Sequence, residues 1–310
     1  MSPALDRVRV SFLESLELGG KSPLTLDSYG RHLAEFEDWL RENEKPLTVD
    51  EIQSSHVRGF LLHLTRRPKR PGYQHRAEPE GGLAPETLRH YYWTLVSFFN
   101  WCEDDRLLNG HKPMHNVAKP AKEQKEIRTL SDQEVQRFLD LLDKPEAKKR
   151  TLYVSFCLMA RLGLRIGEVV KLRLSDVNLE RGSILVRGKG KKERRLPIPN
   201  SLEKVLTEYI AEVRSRFANG SDRLLVSYTG SPLLTSSLRR SFHRYAKRAG
   251  IAGTPHVLRH SFATKAVRNG VSPFVLMRLL GHSDIKTTER YVHAASVDDM
   301  AAALGRMDWV

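Results

Sequence analysis

The sequence predicts a mainly α-helical protein of two domains, the second carrying a small antiparallel β-sheet. Three observations predict it. Apolar residues recur at spacings of three and four through most of the chain, as one face of a helix requires. The periodicity lapses between residues 105 and 128, and a helix-start signal follows at Ser131. Two short alternating stretches flank a basic, glycine-bearing turn at residues 188–192, the pattern of a β-hairpin.

The first hundred residues read as helices. From Leu24 to Leu40, the residues Leu26, Tyr29, Leu33, Phe36 and Leu40 share one face. Thr48-Val-Asp-Glu51 has the form of a capping box and is expected to open a helix running through Leu64. Residues 65–82 break all periodicity. Rich in Arg, Lys, Pro and Gly, they read as an exposed basic loop, with Arg66, Arg67, Lys69 and Arg70 available to nucleic-acid phosphates. Pro85 to Asp104 returns to helix, with Leu88, Tyr92, Leu95, Phe99 and Cys102 on one side. The weakly apolar stretch that follows ends in a linker, and Ser131-Asp-Gln-Glu134 is a second capping box. The expected organisation is a helical domain over 1–115, a linker over 116–128 and a mixed domain over 129–310.

In the mixed domain, Thr151 to Leu162 is an apolar helix, and Arg165 to Leu174 reads as a short helix after a turn at Gly163. Ser183 to Arg187 and Glu193 to Pro199 alternate as strands do. A helix capped by Asn200 or Ser201 runs through Phe217. Helical patterns cover Thr235 to Ala249, Val257 to Asn269 and Ser272 to Leu280. A final amphipathic stretch spans Val297 to Met307.

The chain of 310 residues is long enough to build two cores without disulfides. Cys102 and Cys157 sit in apolar, helix-like stretches and read as buried thiols of a reducing, cytoplasmic compartment. The first ten residues carry Asp6, Arg7 and Arg9, which does not fit a signal peptide, and no apolar run approaches a membrane span. Lys and Arg total 51 against 37 Asp and Glu, a formal net charge of +14 that favours a polyanionic partner, nucleic acid being the commonest.

Four short segments carry the chemistry. They are Gly163-Leu-Arg165-Ile-Gly-Glu168, Gly188-Lys189-Gly190, His256-Val-Leu-Arg259-His260, and Leu280-Gly281-His282 followed by Thr288-Glu-Arg-Tyr291. Attack on a phosphodiester loads negative charge onto two non-bridging oxygens. Arg165 and Arg259 each offer a planar, permanently charged fork to such oxygens. His256 and His282 add donors or move protons near neutral pH. Tyr291 is a poor nucleophile while protonated, and a cationic pocket favours its phenolate. His256 and His260 are four apart, which suits zinc, but no Glu lies between them and no Cys is near, so no metal is expected; His260 reads as a residue that packs or that supports a residue of the site from behind. No phosphate-cradling Gly-x-x-x-x-Gly-Lys loop and no dense carboxylate cluster is present, so no cofactor is indicated.

In order and spacing these segments resemble the tyrosine recombinase (phage integrase) family, and its Xer-like members in particular. The match covers nearly the whole second domain; the first matches only as a helical module of the right size. Arg165 falls on the family's first arginine, Lys189 on its hairpin lysine, and His256 with Arg259 on its central pair. His282 falls on the Leu-Gly-His position, Tyr291 on the nucleophile, and Glu168 on an acidic residue that orients Arg165 or His256.

The resemblance implies Lys189 as general acid to the leaving 5′ oxygen, with Lys191 and Lys192 as rivals for that role or as DNA contacts. It implies a C-shaped clamp on duplex DNA, made by a SAM-like core-binding domain and a catalytic domain. It also implies a homo- or hetero-tetramer on specific recombination sites, a 3′-phosphotyrosyl intermediate, a Holliday junction, and work at the nucleoid without metal or ATP. Two rival readings share parts of the signature. A type IB topoisomerase has the same chemistry without partner exchange. A non-catalytic DNA-binding protein has the charge and helices but no use for Tyr291.

Overall fold

The computed structural model describes residues 3–67, 82–122, 128–188 and 192–292. The chain forms two compact units, Met1–Lys125 and Glu126–Val310. Lys69, Arg70, Lys189, Lys191 and the stretch from Val297 to Met307 lie outside the described residues.

The first unit is built from α1 (Leu5–Leu18), α2 (Pro23–Glu42), α3 (Ser54–Arg66) and α4 (Pro85–Asp104). Pro23 and Pro85 occupy the first helical positions of α2 and α4, where the missing N–H costs nothing. The predicted face of α2 is the buried one, with Leu33, Phe36 and Leu40 at 2% exposure or less. Facing α3 and α4 it forms an aromatic core, in which the rings of Phe36 and Phe60 lie 5.0 Å apart and those of Phe98 and Phe99 5.1 Å apart.

The Thr48–Glu51 box does not open α3. Thr48 spends its hydroxyl on the Glu51 carboxylate, and residues Val49–Glu51 form only a single 3-10 turn. Val49 and Ile52 are both fully buried, and Ile52 is extended, so the chain bends inward before the helix begins at Ser54. Past α4, Leu108 and Val117 pack into this same core, and Arg89 donates to the carbonyl of Pro120 at 2.9 Å.

The second unit opens on α5 (Asp132–Asp140), capped reciprocally as its sequence indicates: Ser131 Oγ accepts from the Glu134 amide at 3.2 Å, and Glu134 accepts from the Ser131 amide at 2.8 Å. Helix α6 (Ala147–Leu162) begins four residues before the apolar run, because its first turn is held by Arg150, which pairs with Asp143 and Glu208.

The helix after Gly163 is far shorter than its pattern suggests. Helix α7 covers only Ile166–Val169, since the backbone at Leu172 and Leu174 leaves to pair with Leu224 and Asp222. Strands β2 (Ser183–Arg187) and β3 (Glu193–Pro197) form the expected antiparallel hairpin, with Leu185 opposite Arg195. β1 (Val177–Asn178) adds a two-residue edge to the sheet.

α8 (Asn200–Glu208) starts after Pro199, whose carbonyl receives the Leu202 amide, rather than on a cap by Asn200 or Ser201. It passes through a π-helical turn at Tyr209–Arg214 into α9 (Ser215–Phe217). Then come α10 (Thr235–Arg248), α11 (His256–Arg268), α12 (Pro273–Leu280) and α13 (Lys286–Val292). Phe138, Phe156 and Phe242 centre the main core of this unit, and a smaller cluster of Ala263, Ala266, Leu276, Leu280 and Tyr291 joins α11, α12 and α13. Among the described residues no helix is long and apolar enough to cross a membrane.

Candidate active site

Two left-handed glycines fix the backbone around which the site forms. Gly163 ends α6 at φ +64°, and Gly281 ends α12 at φ +64°. A Cβ on Gly163 would meet Phe262 Cδ1 at 2.5 Å, and one on Gly281 would meet Arg194 Nη1 at 2.7 Å. Only glycine satisfies both conditions at each place.

The end of α12 presents carbonyls that have no partner within the helix. Three arginines supply partners. Arg259 donates to Leu280 O at 2.8 Å, Arg165 to the same oxygen at 3.4 Å, and Arg194 to Leu279 O at 2.8 Å. Arg259 also donates to Gly163 O at 2.6 Å. Cations at a helix C-terminus sit well with its partial negative charge.

Crowded guanidiniums repel, and one carboxylate compensates. Glu168, at 6% exposure, receives both terminal nitrogens of Arg194, at 2.9 and 3.0 Å, and Arg165 Nη1 at 3.1 Å; Arg259 stands 3.9 Å away. Burial works to raise the Glu168 pKa, but the Arg194 bonds and charge, with Arg165, outweigh it and hold the carboxyl below its ordinary range. Three guanidiniums against one carboxylate leave a surplus of two positive charges. That surplus matches an anion that gains charge as it reacts. Burial first, then the charge of Arg165, pull the Arg259 pKa down to about 10, which leaves it charged at neutral pH.

Of the predicted site residues within the described chain, Arg165, Glu168, Arg259 and His282 join one network, which continues from Arg259. Its Nη2 lies 2.9 Å from His282 Nε2. Arginine has no acceptor, so His282 accepts there, and its proton sits on Nδ1, donated to Thr288 Oγ1 at 2.8 Å. Burial, then Arg259 and Arg165, lower the His282 pKa to about 4, so the ring is neutral. His256 is exposed by area, yet burial of its ring, then Arg259 and Arg165, lower its pKa as well.

Tyr291, on α13, is 3% exposed, and burial raises its pKa against the opposing charges of Arg259, Arg290 and Arg165. Its hydroxyl lies 2.8 Å from His260 Nδ1. Lys192 is exposed just before β3. In the other unit, Arg66 is exposed at the end of α3, whereas Arg67 is half-buried and paired with Glu35.

Two residues of the network escape the sequence reading. Arg194 looks like one more cation of a solvated turn, although strand alternation places it on the same face as buried Leu196. His260 reads as packing or as support for the site, without a named partner; the partner is Tyr291. Among the described residues no third His, Cys, Asp or Glu joins His256 and His260 in a group able to hold a metal.

A helical module followed by a domain in which two motif arginines, flanking histidines and a tyrosine meet is the organisation of the tyrosine recombinases. The chain belongs to the phage integrase family: residues 128–297 match the model described as "Phage integrase family", and residues 10–71 match "Phage integrase, N-terminal SAM-like domain".

Tyrosine recombinase XerD of Oceanobacillus iheyensis is 30% identical over 288 residues, covering 91% of this chain and 92% of that protein. Tyrosine recombinase XerC of Halalkalibacterium halodurans is 31% identical over 283 residues, covering 88% and 87%. Among solved structures, the XerH site-specific recombinase bound to palindromic difH substrate, a post-cleavage complex, superposes at TM-score 0.72 and 23% identity, covering 90% of this chain and 79% of that one. The Tn1549 transposon integrase in complex with transposon right end DNA superposes at 0.74 and 18%, covering 98% and 99%. These two likenesses establish the fold.

Proposed function

We propose that this protein is a site-specific DNA recombinase that breaks and rejoins strands through Tyr291. The observation that carries the reading is the continuous network from Glu168 through Arg165, Arg259 and His282, beside a buried tyrosine. In this reading Tyr291 releases its phenolic proton to solvent as its oxygen attacks the phosphorus, a 3′-phosphotyrosyl bond forms, and the bond from phosphorus to the 5′ oxygen breaks. Arg165 and Arg259 stabilise the non-bridging oxygens from positions fixed before substrate arrives. Glu168 orients the two arginines. His256 supplies a hydrogen bond to the reacting phosphate, His282, held between Arg259 and Thr288, orients the Arg259 guanidinium toward it, and Lys189, on the β2–β3 turn, protonates the leaving oxygen, with Lys191 and Lys192 beside it on the backbone.

The covalent intermediate conserves the energy of the broken bond, so rejoining to a new strand needs no ATP, and the arginines do the charge-neutralising work that a metal would otherwise do. The helical unit serves as the core-binding domain, and Arg66, Arg67, Lys69 and Arg70 neutralise phosphates. Both units clamp the duplex, and four protomers exchange strands through a Holliday junction in the cytoplasm, at the nucleoid. Dimer resolution and mobile-element integration or excision are the processes this chemistry serves.

The test uses nicked, end-labelled duplexes with randomised arms, incubated without metal or ATP and run on a denaturing gel. A protease-sensitive adduct that is absent with Tyr291→Phe is the expected result. DNA bound with no adduct from any duplex of the pool would sink the enzyme reading in favour of a non-catalytic DNA-binding protein. Relaxed plasmid without recombinant products would favour a type IB topoisomerase.

A further inference from the structure

We propose that His260 is the positioning residue for the nucleophile: its Nδ1 accepts the Tyr291 hydroxyl and fixes where the phenolic oxygen stands. The inference rests on the reading of Tyr291 as nucleophile given above. It comes from elimination among three histidines.

His282 has both ring nitrogens engaged, Nε2 by Arg259 and Nδ1 by Thr288, and so has none for the tyrosine. His256 lies one helical turn before His260 on the same face of α11, with the two rings 6.4 Å apart, and among the described residues it makes no side-chain hydrogen bond. Among the described residues His260 alone hydrogen-bonds Tyr291, at 2.8 Å between Nδ1 and the hydroxyl, with the rings 5.7 Å apart and inclined at 44°.

The surroundings make that bond matter. Tyr291 packs with Ala263, Ala266, Leu276 and Leu280, walls that offer the phenol no hydrogen-bonding side chain. A buried hydroxyl without a partner is costly, so its rotation is governed by His260, its one hydrogen-bond partner among the described residues. Arg259, Arg290 and Arg165 face Tyr291, and His256, Arg290 and Arg259 face His260. Burial, then His256, then the arginines, hold the His260 pKa at about 4, so the ring is neutral and keeps one acceptor nitrogen. With Nδ1 accepting, its proton is on Nε2. The bond ties α13 to α11, the helix that also carries Arg259, so nucleophile and phosphate clamp share one support.

The test uses the near-isosterism of amide and imidazole: Asn places a polar atom near the Nδ1 position and Gln near the Nε2 position. His260→Ala, His260→Asn and His260→Gln would be compared in the full chain by two readouts. The first is 13Cζ-tyrosine NMR of the protein alone, with the Tyr291 signal assigned by Tyr291→Phe. The expected result is a displaced Tyr291 signal in the Ala and Gln variants and a near-native one in the Asn variant.

The second readout is single-turnover adduct formation on the nicked duplex that wild type cleaves fastest. A fall of roughly 10–100-fold is expected for Ala and Gln, the scale on which a displaced reacting atom slows chemistry. Asn should recover the rate to within a few fold, with DNA affinity unchanged throughout. An unmoved Tyr291 signal in His260→Ala, or equal rates for Asn and Gln, overturns the proposal. If wild type forms no adduct, the recombinase reading falls, while the NMR readout still decides whether His260 holds the phenol.

Discussion

Arg259 is 3% exposed and commits three of its five N–H groups to Gly163 O, Leu280 O and His282. Such a side chain is part of the core as much as of a site, and Glu168 is what makes its charge tolerable. Replacing Glu168 with Gln should therefore cost stability of about 3–5 kcal/mol, the scale for breaking a buried ion pair. Thermal melting of the variant checks this; an unchanged Tm would show that the carboxylate is dispensable.

The pH dependence follows from the same residues. The folded-state pKa of Glu168 is depressed, so its stabilisation is present above the ordinary carboxylate pKa and lost as pH falls through the folded value. His260 and His282 stay neutral in the fold down to about pH 4, while an unfolded chain protonates them near 6.5. Between those values the unfolded state binds more protons, so stability is full above about 6.5 and declines as pH falls toward 4. A Tm flat from pH 7 to 4 would contradict the burial of both rings. Arg165, Glu168, Arg259, His282 and Tyr291 were legible because their spacing is a signature. Arg194 was not, because a cation in a basic run has a commonplace explanation that only packing removes, and His260 was legible as packing or support but not as the partner of Tyr291, since a histidine on a helix does not show what it faces.

At the scale of elements, the turn at Gly163 joins α6 to α7 and delivers the carbonyl that Arg259 grips. Gly163→Ala would place a Cβ 2.5 Å from Phe262 in a left-handed conformation that itself costs roughly 1–2 kcal/mol. We expect a lower Tm together with slower adduct formation, since Phe262 and Leu280 must both shift. A variant with native stability and native rate would mean that the backbone there relaxes freely.

α2, α4 and α6 were readable from period, whereas α1, of fourteen residues, was covered only by the general helical character of the first hundred residues. The misses are short or irregular. α7 stops at Val169, short of the Leu174 its pattern suggests, because the backbone beyond pairs with Leu224 and Asp222; β1 has two residues and α13 seven, too few for a periodic signal; and the π-helical turn at Tyr209–Arg214 keeps the helical pattern while changing its pitch. The Thr48 box failed because burying Val49 and Ile52 outweighed the local cap.

At the scale of the molecule, the two units bury separate cores, one around Phe36, Phe60 and Phe98 and the other around Phe138, Phe156 and Phe242. The change in periodicity announced the second unit, and the capping box at Ser131 marked its first helix. The sequence did not reveal that Val117, inside the expected linker, packs into the first core, because one valine in a polar stretch has no period. The net charge of +14 belongs to this scale too. DNA affinity should fall about 10³–10⁵-fold between 50 and 200 mM salt, as for proteins making six to ten phosphate contacts. Arg66→Ala should reduce the salt slope by about one without altering sequence preference. Affinity indifferent to salt, measured by filter binding, would refute a phosphate-led interface.

The arginines that tie off α12 have a genetic consequence. Because Arg165, Arg194 and Arg259 close the last carbonyls of that helix, losing one disturbs the architecture as well as the chemistry, and cells clear misfolded chains. Alleles altered at Arg259 should lower abundance and behave recessively. If Tyr291 is the nucleophile as proposed, a Tyr291→Phe allele gives up one phenolic oxygen, keeps those three ties, and leaves an intact polypeptide without its reacting group to compete with its wild-type siblings. Dominant-negative alleles should therefore cluster at the tyrosine and be scarce at the arginines.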